Sequence, residues 1–189
     1  MKTINLLTVL VLSLLVSNVS AEVLKANTNK SEITWTGKKV GGQHHGTIDL
    51  KSGQLEVKNN AITGGEFVVD MNSIKNLDLE SQEYNQKLVG HLKSDDFFSV
   101  EKHPEAKLMI RKNFPVIDGS TTVTGDLTIK GITHPITFDV NKEGNTYTAN
   151  INVDRAKYDV RYGSDSFFDN LGDKVIDDIF VLGVKLVVE

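Results

Sequence analysis

The stretch Val123-Thr124-Gly125-Asp126-Leu127-Thr128-Ile129-Lys130-Gly131-Ile132-Thr133-His134-Pro135-Ile136-Thr137-Phe138-Asp139-Val140 decides the fold. Val123, Gly125, Leu127 and Ile129 alternate with polar residues, and Ile136, Phe138 and Val140 do the same. Period-two alternation marks a strand with one buried face, because successive side chains point to opposite sides. Gly131 begins the tight connection between the two runs. Working outward, Lys142-Glu143-Gly144-Asn145 turns the chain, and Tyr147, Ala149, Ile151 and Val153 return it. The last run places Phe180, Leu182, Val184, Leu186 and Val188 on one face. Toward the N-terminus, Ala106, Leu108 and Ile110 alternate, as do Phe67, Val69 and Met71 within Glu66 to Met71. Leu55 and Val57 share a face in Gln54 to Lys58, Thr47 to Leu50 forms a short run, and Ile33 and Trp35 share a face in Ser31 to Thr36. Gly53 and Gly64-Gly65 read as hairpin corners, and Gly41-Gly42 as a break. About eight short antiparallel strands at this spacing specify a sandwich or a closed barrel.

One segment departs from this pattern. Leu79 to Leu92 has no alternation; Ser81 is placed to cap a helix whose apolar residues Tyr84, Leu88 and Leu92 recur every four positions. Asp95-Asp96-Phe97-Phe98 reads as a further short turn of helix, and Pro104 stops helical structure there. The chain is therefore mainly β with one helical insertion.

The 189 residues carry 21 basic and 25 acidic side chains, a net charge of −4, with no basic block. Nucleic-acid binding calls for a clustered Lys/Arg footprint, so that class is disfavoured. The chain has no cysteine, which removes disulfides, thiolate nucleophiles, iron–sulfur clusters and Cys-ligated zinc. Residues 1–21 have the layout of a secretory signal peptide: Lys2, an apolar run from Ile4 to Val16, then Val19-Ser20-Ala21 with small residues at the cleavage positions. The run is shorter than a spanning helix and carries Asn5, Thr8 and Ser13. Cleavage after Ala21 is expected, leaving residues 22–189 as one domain in the periplasm.

Chemical motifs are sparse. Of the five histidines, His44 and His45 are adjacent, and on a strand they point to opposite faces. No H-x-x-x-H or H-E-x-x-H spacing joins His44, His45, His91, His103 and His134. Asp165, Asp169, Asp173, Asp177 and Asp178 lack the ligand spacing of a calcium loop and read as a solvated acidic surface. No nucleophile elbow, phosphate loop or dinucleotide fingerprint is present. Arg155, in Asp154-Arg155-Ala156-Lys157-Tyr158, either meets a polar head group or pairs with Asp154; the pair is the simpler reading.

Three stretches taken together resemble the YceI-like family of bacterial periplasmic proteins, which are polyisoprenoid- or lipid-binding, lipocalin-like barrels. They are Trp35-Thr36-Gly37-Lys38-Lys39-Val40-Gly41-Gly42-Gln43-His44-His45-Gly46, His91-Leu92-Lys93-Ser94-Asp95-Asp96-Phe97-Phe98 running on to Pro104, and Gly125 to Ile136 as quoted above. Ser166-Phe167-Phe168-Asp169-Asn170-Leu171-Gly172-Asp173 matches one branch of the family. The resemblance implies an eight-stranded antiparallel β-barrel with a helical element beside it, holding a long apolar chain such as an isoprenoid quinone or fatty-acid derivative. It implies a binding protein rather than an enzyme. It also points to dimers, and to a membrane redox protein as a partner through quinone handling.

A slim apolar tunnel gives such a chain affinity by removing its surface from water. Each buried methylene is worth about 0.8 kcal/mol, so ten give about 8 kcal/mol gross, near the micromolar scale before ordering costs. Trp35, Phe67, Val69, Met71, Leu108, Ile110, Phe138 and Ile151 sit on the bulkier faces of their strands and are the expected wall, although each also reads as plain core. Leu88, Leu92, Phe97, Phe98, Phe167 and Phe168 are expected as a lid. His44, His45, Arg155 and Asn170 are candidates for the polar mouth, with Asp169-Asn170 alternatively capping the Phe167-Phe168 loop. Two other readings stand beside the carrier: a metal-dependent enzyme built on the histidines, and a structural or stress-response barrel packed solid.

Overall fold

The computed structural model describes residues 20–112 and 114–189; residues 1–19 of the expected signal peptide lie outside them. Ten strands and one helix follow in order: β1 (Glu22–Lys25), β2 (Glu32–Lys39), β3 (Gly42–Lys58), β4 (Ala61–Asn76), α1 (Gln82–Lys93), β5 (Glu105–Ile110), β6 (Phe114–Pro115), β7 (Ser120–Ile129), β8 (Ile132–Glu143), β9 (Thr146–Asp154) and β10 (Ile179–Val187). Every strand pairing is antiparallel. The strands run β3-β2-β10-β9-β8-β7-β5-β4 around the molecule, and a β3–β4 pairing joins the ends. The result is a closed eight-stranded barrel. The short strands β1 and β6 add to β3 and β4 outside the closed ring.

The quoted stretch forms the β7–β8 hairpin, with Ile129 opposite Ile132 and Val123 opposite Phe138. Lys130 and Gly131 both take positive φ, 52° and 74°, the left-handed pair that a two-residue turn needs to follow the strand twist. The β3–β4 hairpin differs from the sequence expectation. Its corner is Asn59-Asn60, at φ 50° and 57°, which asparagine tolerates through its short polar side chain. Gly53 and Gly64-Gly65 instead lie inside the strands. Gly53 stands opposite Phe67, whose ring covers it: a Cβ on Gly53 would meet Phe67 Cδ1 at 2.6 Å. The runs Thr47 to Leu50 and Gln54 to Lys58 are likewise one long strand. Register shifts between Thr47 and Asp49 and between Leu50 and Ser52 let it bend around the barrel without breaking.

The insertion between β4 and β5 is the predicted helix. Ser81 is its N-cap and accepts the Tyr84 N–H at 3.5 Å. Leu92 is buried and Leu88 is half-buried against the core, whereas Tyr84 faces solvent rather than the barrel. The turn after α1 carries Phe97 and Phe98 back toward the strands, with Phe98 N–H donating to the Leu92 carbonyl at 3.1 Å. One end of the barrel therefore gathers α1, the Lys130-Gly131 turn and the long β9–β10 connection. The other gathers the Asn59-Asn60 and Gly144-Asn145 turns and the β5–β7 connection. β10, whose edge status the sequence left open, pairs with β9 on one side and β2 on the other.

Candidate ligand-binding site

The barrel is not filled by its own side chains. A cavity of about 230 Å³ runs along its interior, lined by inward-facing residues of the eight barrel strands and by the cover at the α1 end. All eight residues expected on the wall line it: Trp35, Phe67, Val69, Met71, Leu108, Ile110, Phe138 and Ile151. Each arrives there through the period-two geometry of its strand. Ala149 also lines the cavity, and its small side chain leaves room. Gly125 does not; its missing Cβ lets β5 approach, since a Cβ would lie 2.9 Å from Leu108 Cδ1 and 3.0 Å from the Met109 carbonyl.

The wall is more extensive than the sequence reading named. Ile33, Leu50, Leu55, Ile62, Tyr147, Leu182 and Leu186 belong to it as well. They stand on the inward faces that the same alternation sets. Ile176 also lines the cavity from an irregular connection, where no periodicity marks a residue as inward.

The expected lid divides in two. Leu92, Phe97 and Phe98 line the cavity at the α1 end. Phe97 and Phe98 pack edge-on with centroids 5.0 Å apart, and Phe98 meets Phe180 edge-on at 6.2 Å. Leu88 packs on the core but does not reach the cavity. Phe167 and Phe168 do not reach it either. Phe168 is 49 % exposed, and Phe167 lies under the Arg161 guanidinium, 5.0 Å from its ring centroid. Two adjacent phenylalanines signalled burial, but the loop carrying them folds outward. Asn170, at φ 60°, is exposed on the same loop and away from the cavity.

Arg155 lines the cavity, and its ion-pair partner is not Asp154. It is 2 % exposed and donates four hydrogen bonds to carbonyls: Nε to Asp177 at 3.1 Å, Nη1 to Val160 at 2.8 Å and Tyr162 at 2.9 Å, and Nη2 to Ile176 at 2.8 Å. Its ion pair is with Asp178, Nη2 to Oδ1 at 3.2 Å, while Asp178 Oδ2 accepts from Ser164 and Ser166. Asp154 instead caps the 3-10 turn Arg155–Tyr158, accepting the Ala156 N–H at 3.1 Å. Burial pulls the guanidinium pKa down, and Asp178 with three other aspartates works against that shift. Arg155 thus pins the β9–β10 connection against the barrel end, with Phe97 packed on its guanidinium at 5.5 Å.

His44 and His45 also lie off the cavity. His44 Nδ1 sits 2.7 Å from Asp78 Oδ2, the His45 N–H donates to Asp78 Oδ1 at 2.8 Å, and Asn76 Nδ2 donates to the same oxygen at 2.5 Å. Desolvation would raise the Asp78 carboxyl, but these hydrogen bonds outweigh it and hold the pKa at about 2. The group fastens the start of the α1 excursion to β3. His91 packs edge-on against Tyr162, and His134 against Tyr158. Among the described residues, no group of three or more His, Cys, Asp or Glu side chains is arranged to hold a metal ion.

A closed antiparallel barrel around a long apolar cavity, covered at one end by a helix and aromatic side chains, defines a lipocalin-like architecture. The chain belongs to the YceI-like domain family, whose model matches residues 24–187. Among curated proteins it is similar to a UPF0312 protein of Pseudomonas putida, 41 % identical over 54 residues, and to one of Shewanella denitrificans, 37 % identical over 54 residues. Each match spans 29 % of this chain and 28 % of the relative. Among solved structures it is similar to Burkholderia cenocepacia BcnA, with TM-score 0.67, 21 % identity, and 87 % of this chain and 99 % of that one covered. A polyisoprenoid binding domain from Saccharophagus degradans, implicated in plant cell wall breakdown, aligns with TM-score 0.57 and 14 % identity over 88 % of this chain and 97 % of that one. The Campylobacter jejuni YceI protein aligns with TM-score 0.52 and 18 % identity over 100 % and 99 %. At these identities the structures share the fold.

Proposed function

We propose that this protein binds a long-chain apolar molecule inside its barrel and carries or sequesters it in the periplasm, without catalysing a reaction. The observation that carries this reading is the cavity itself, a continuous apolar channel that the protein's own side chains leave unfilled. The polyisoprenoid binding named for the Saccharophagus degradans domain supports an isoprenoid or similar chain as the occupant. The leader-like residues 1–21 support export. An isoprenoid quinone is one such chain, and handling one would bring the protein to a membrane redox partner. Affinity then comes from area removed from water, at about 25 cal/mol per Å², and needs no charged anchor. The packed-barrel reading loses its main support with the cavity, and the histidine-enzyme reading with the dispersal of the histidines.

Native and denaturing mass spectra of protein exported by its own leader and purified without detergent test this proposal. The expected result is a native mass exceeding that of the bare chain by one extractable long-chain molecule. Bare protein that also binds no fluorescent fatty or isoprenoid probe would overturn it.

A further inference from the structure

The two ends of the cavity differ. At the end opposite α1, Leu55, Ile62, Val123 and Tyr147 line it and are 2 %, 2 %, 0 % and 4 % exposed. Two further apolar side chains are seated against that end. The Val116 N–H donates to the Asn60 carbonyl at 3.0 Å and the Val188 N–H to the Asn145 carbonyl at 2.9 Å, which fixes both valines beside the turns, and both are buried. The α1 end is more open on the side of β2 and β10, where Trp35, Gly37 and Phe180 line the cavity but are only half-buried. Gly37 shares the inward face of β2 with Ile33 and Trp35, and a Cβ there would meet no atom beyond its chain neighbours within 4 Å. The inward face of β2 therefore runs out into free space beside the cover. Between the two ends the lining side chains are almost all apolar, and the buried cation among them, Arg155, is committed to four carbonyls and Asp178. A polar head group drawn inside would lose its water without gaining a partner.

We infer that the cavity is a one-ended channel that selects its ligand by chain length, with the Tyr147 end as the stop. The inference rests on the carrier reading and narrows its ligand class to chains with one polar terminus and a bounded apolar length. The tail enters first, past Gly37, and ends against Leu55, Ile62 and Tyr147, while the head group stays in water at the α1 end. Each methylene adds affinity until the tail touches the stop. A longer chain leaves its surplus methylenes in water at the mouth and gains nothing from them.

The test uses the even-numbered saturated fatty acids from decanoate to docosanoate, each displacing a fluorescent fatty probe from lipid-stripped protein. For wild type the affinity is expected to rise by up to about fourfold per methylene and then to level off at one chain length. Tyr147→Ala removes a ring that forms part of the stop, and the levelling point is expected to move about four carbons longer. Chains well short of that point do not reach the stop and should bind wild type and variant within about threefold, which also reports that the variant folds and keeps its cavity. Tyr147→Leu, a smaller truncation, carries the test if Tyr147→Ala does not fold. A levelling point that the substitution leaves unchanged, or a wild-type affinity that keeps rising to docosanoate, would overturn the length stop while leaving the carrier reading intact. Failure of every acid to bind wild type would overturn the carrier reading and the length stop with it.

Discussion

Asp78 and Arg155 each tie a connection to the barrel rim, by opposite electrostatic means. The Asp78 pKa of about 2 lies below its ordinary value of 3.8, so the carboxylate's stabilising contribution is complete above about pH 4 and is lost as pH falls through about 2. Asp78→Asn should therefore flatten the acid limb of the stability curve between pH 4 and 2, as followed by urea denaturation at a series of pH values. A variant whose acid limb matches wild type would show that the contribution lies elsewhere. Arg155 offers a sharper case, since one buried cation satisfies four carbonyls and an aspartate. Arg155→Met would strand those acceptors and leave Asp178 without its cation. A loss of about 3–5 kcal/mol is expected from chemical denaturation, with lysine failing to rescue because it cannot fork to so many acceptors.

Among the elements, the α1 excursion joins the barrel differently from the strands. It is held mainly by side chains: Asn85 Nδ2 donates to the Asn76 carbonyl at 3.0 Å, and Lys93 Nζ to the Asn72 carbonyl at 2.7 Å. By contrast, the β3–β4 and β7–β8 hairpins are held by continuous backbone ladders. The aromatic contacts Phe97–Phe98 and Phe98–Phe180 lie where this cover meets the strands. Phe98→Ala should speed release of a bound fatty probe about tenfold in stopped-flow displacement while leaving the far-ultraviolet circular dichroism unchanged. An unaltered release rate would mean that the ligand does not leave past α1. The helix itself was legible in the sequence because its cap residue and four-residue spacing are local signals. The β3–β4 corner was not, because glycine is the commoner marker of a turn and here two asparagines supply the left-handed backbone.

For the whole molecule, closure and cavity are one property. Eight strands give an interior wide enough either to be filled by side chains or to hold one slim ligand, and small residues such as Ala149 favour the second outcome. Ala149→Phe places a ring in the cavity. It should abolish retention of a long-chain molecule in the native mass spectrum while changing the melting temperature of lipid-free protein by only a few degrees. Retained ligand in that variant would place the binding site outside the barrel.

The sequence by itself determined the strand faces, the helical insertion and the residues that point inward, because alternation, capping and turn formation depend on neighbours along the chain. All eight expected wall residues reach the cavity for that reason. Only the tertiary structure decided that the sheet closes through β3–β4 and β2–β10, that Arg155 turns to Asp178 rather than Asp154, that Ile176 faces inward, and that Phe167 and Phe168 face solvent. These outcomes depend on which distant segments meet. Periodicity reports which side of a strand avoids water, but whether the enclosed space is filled depends on how all eight strands pack around it.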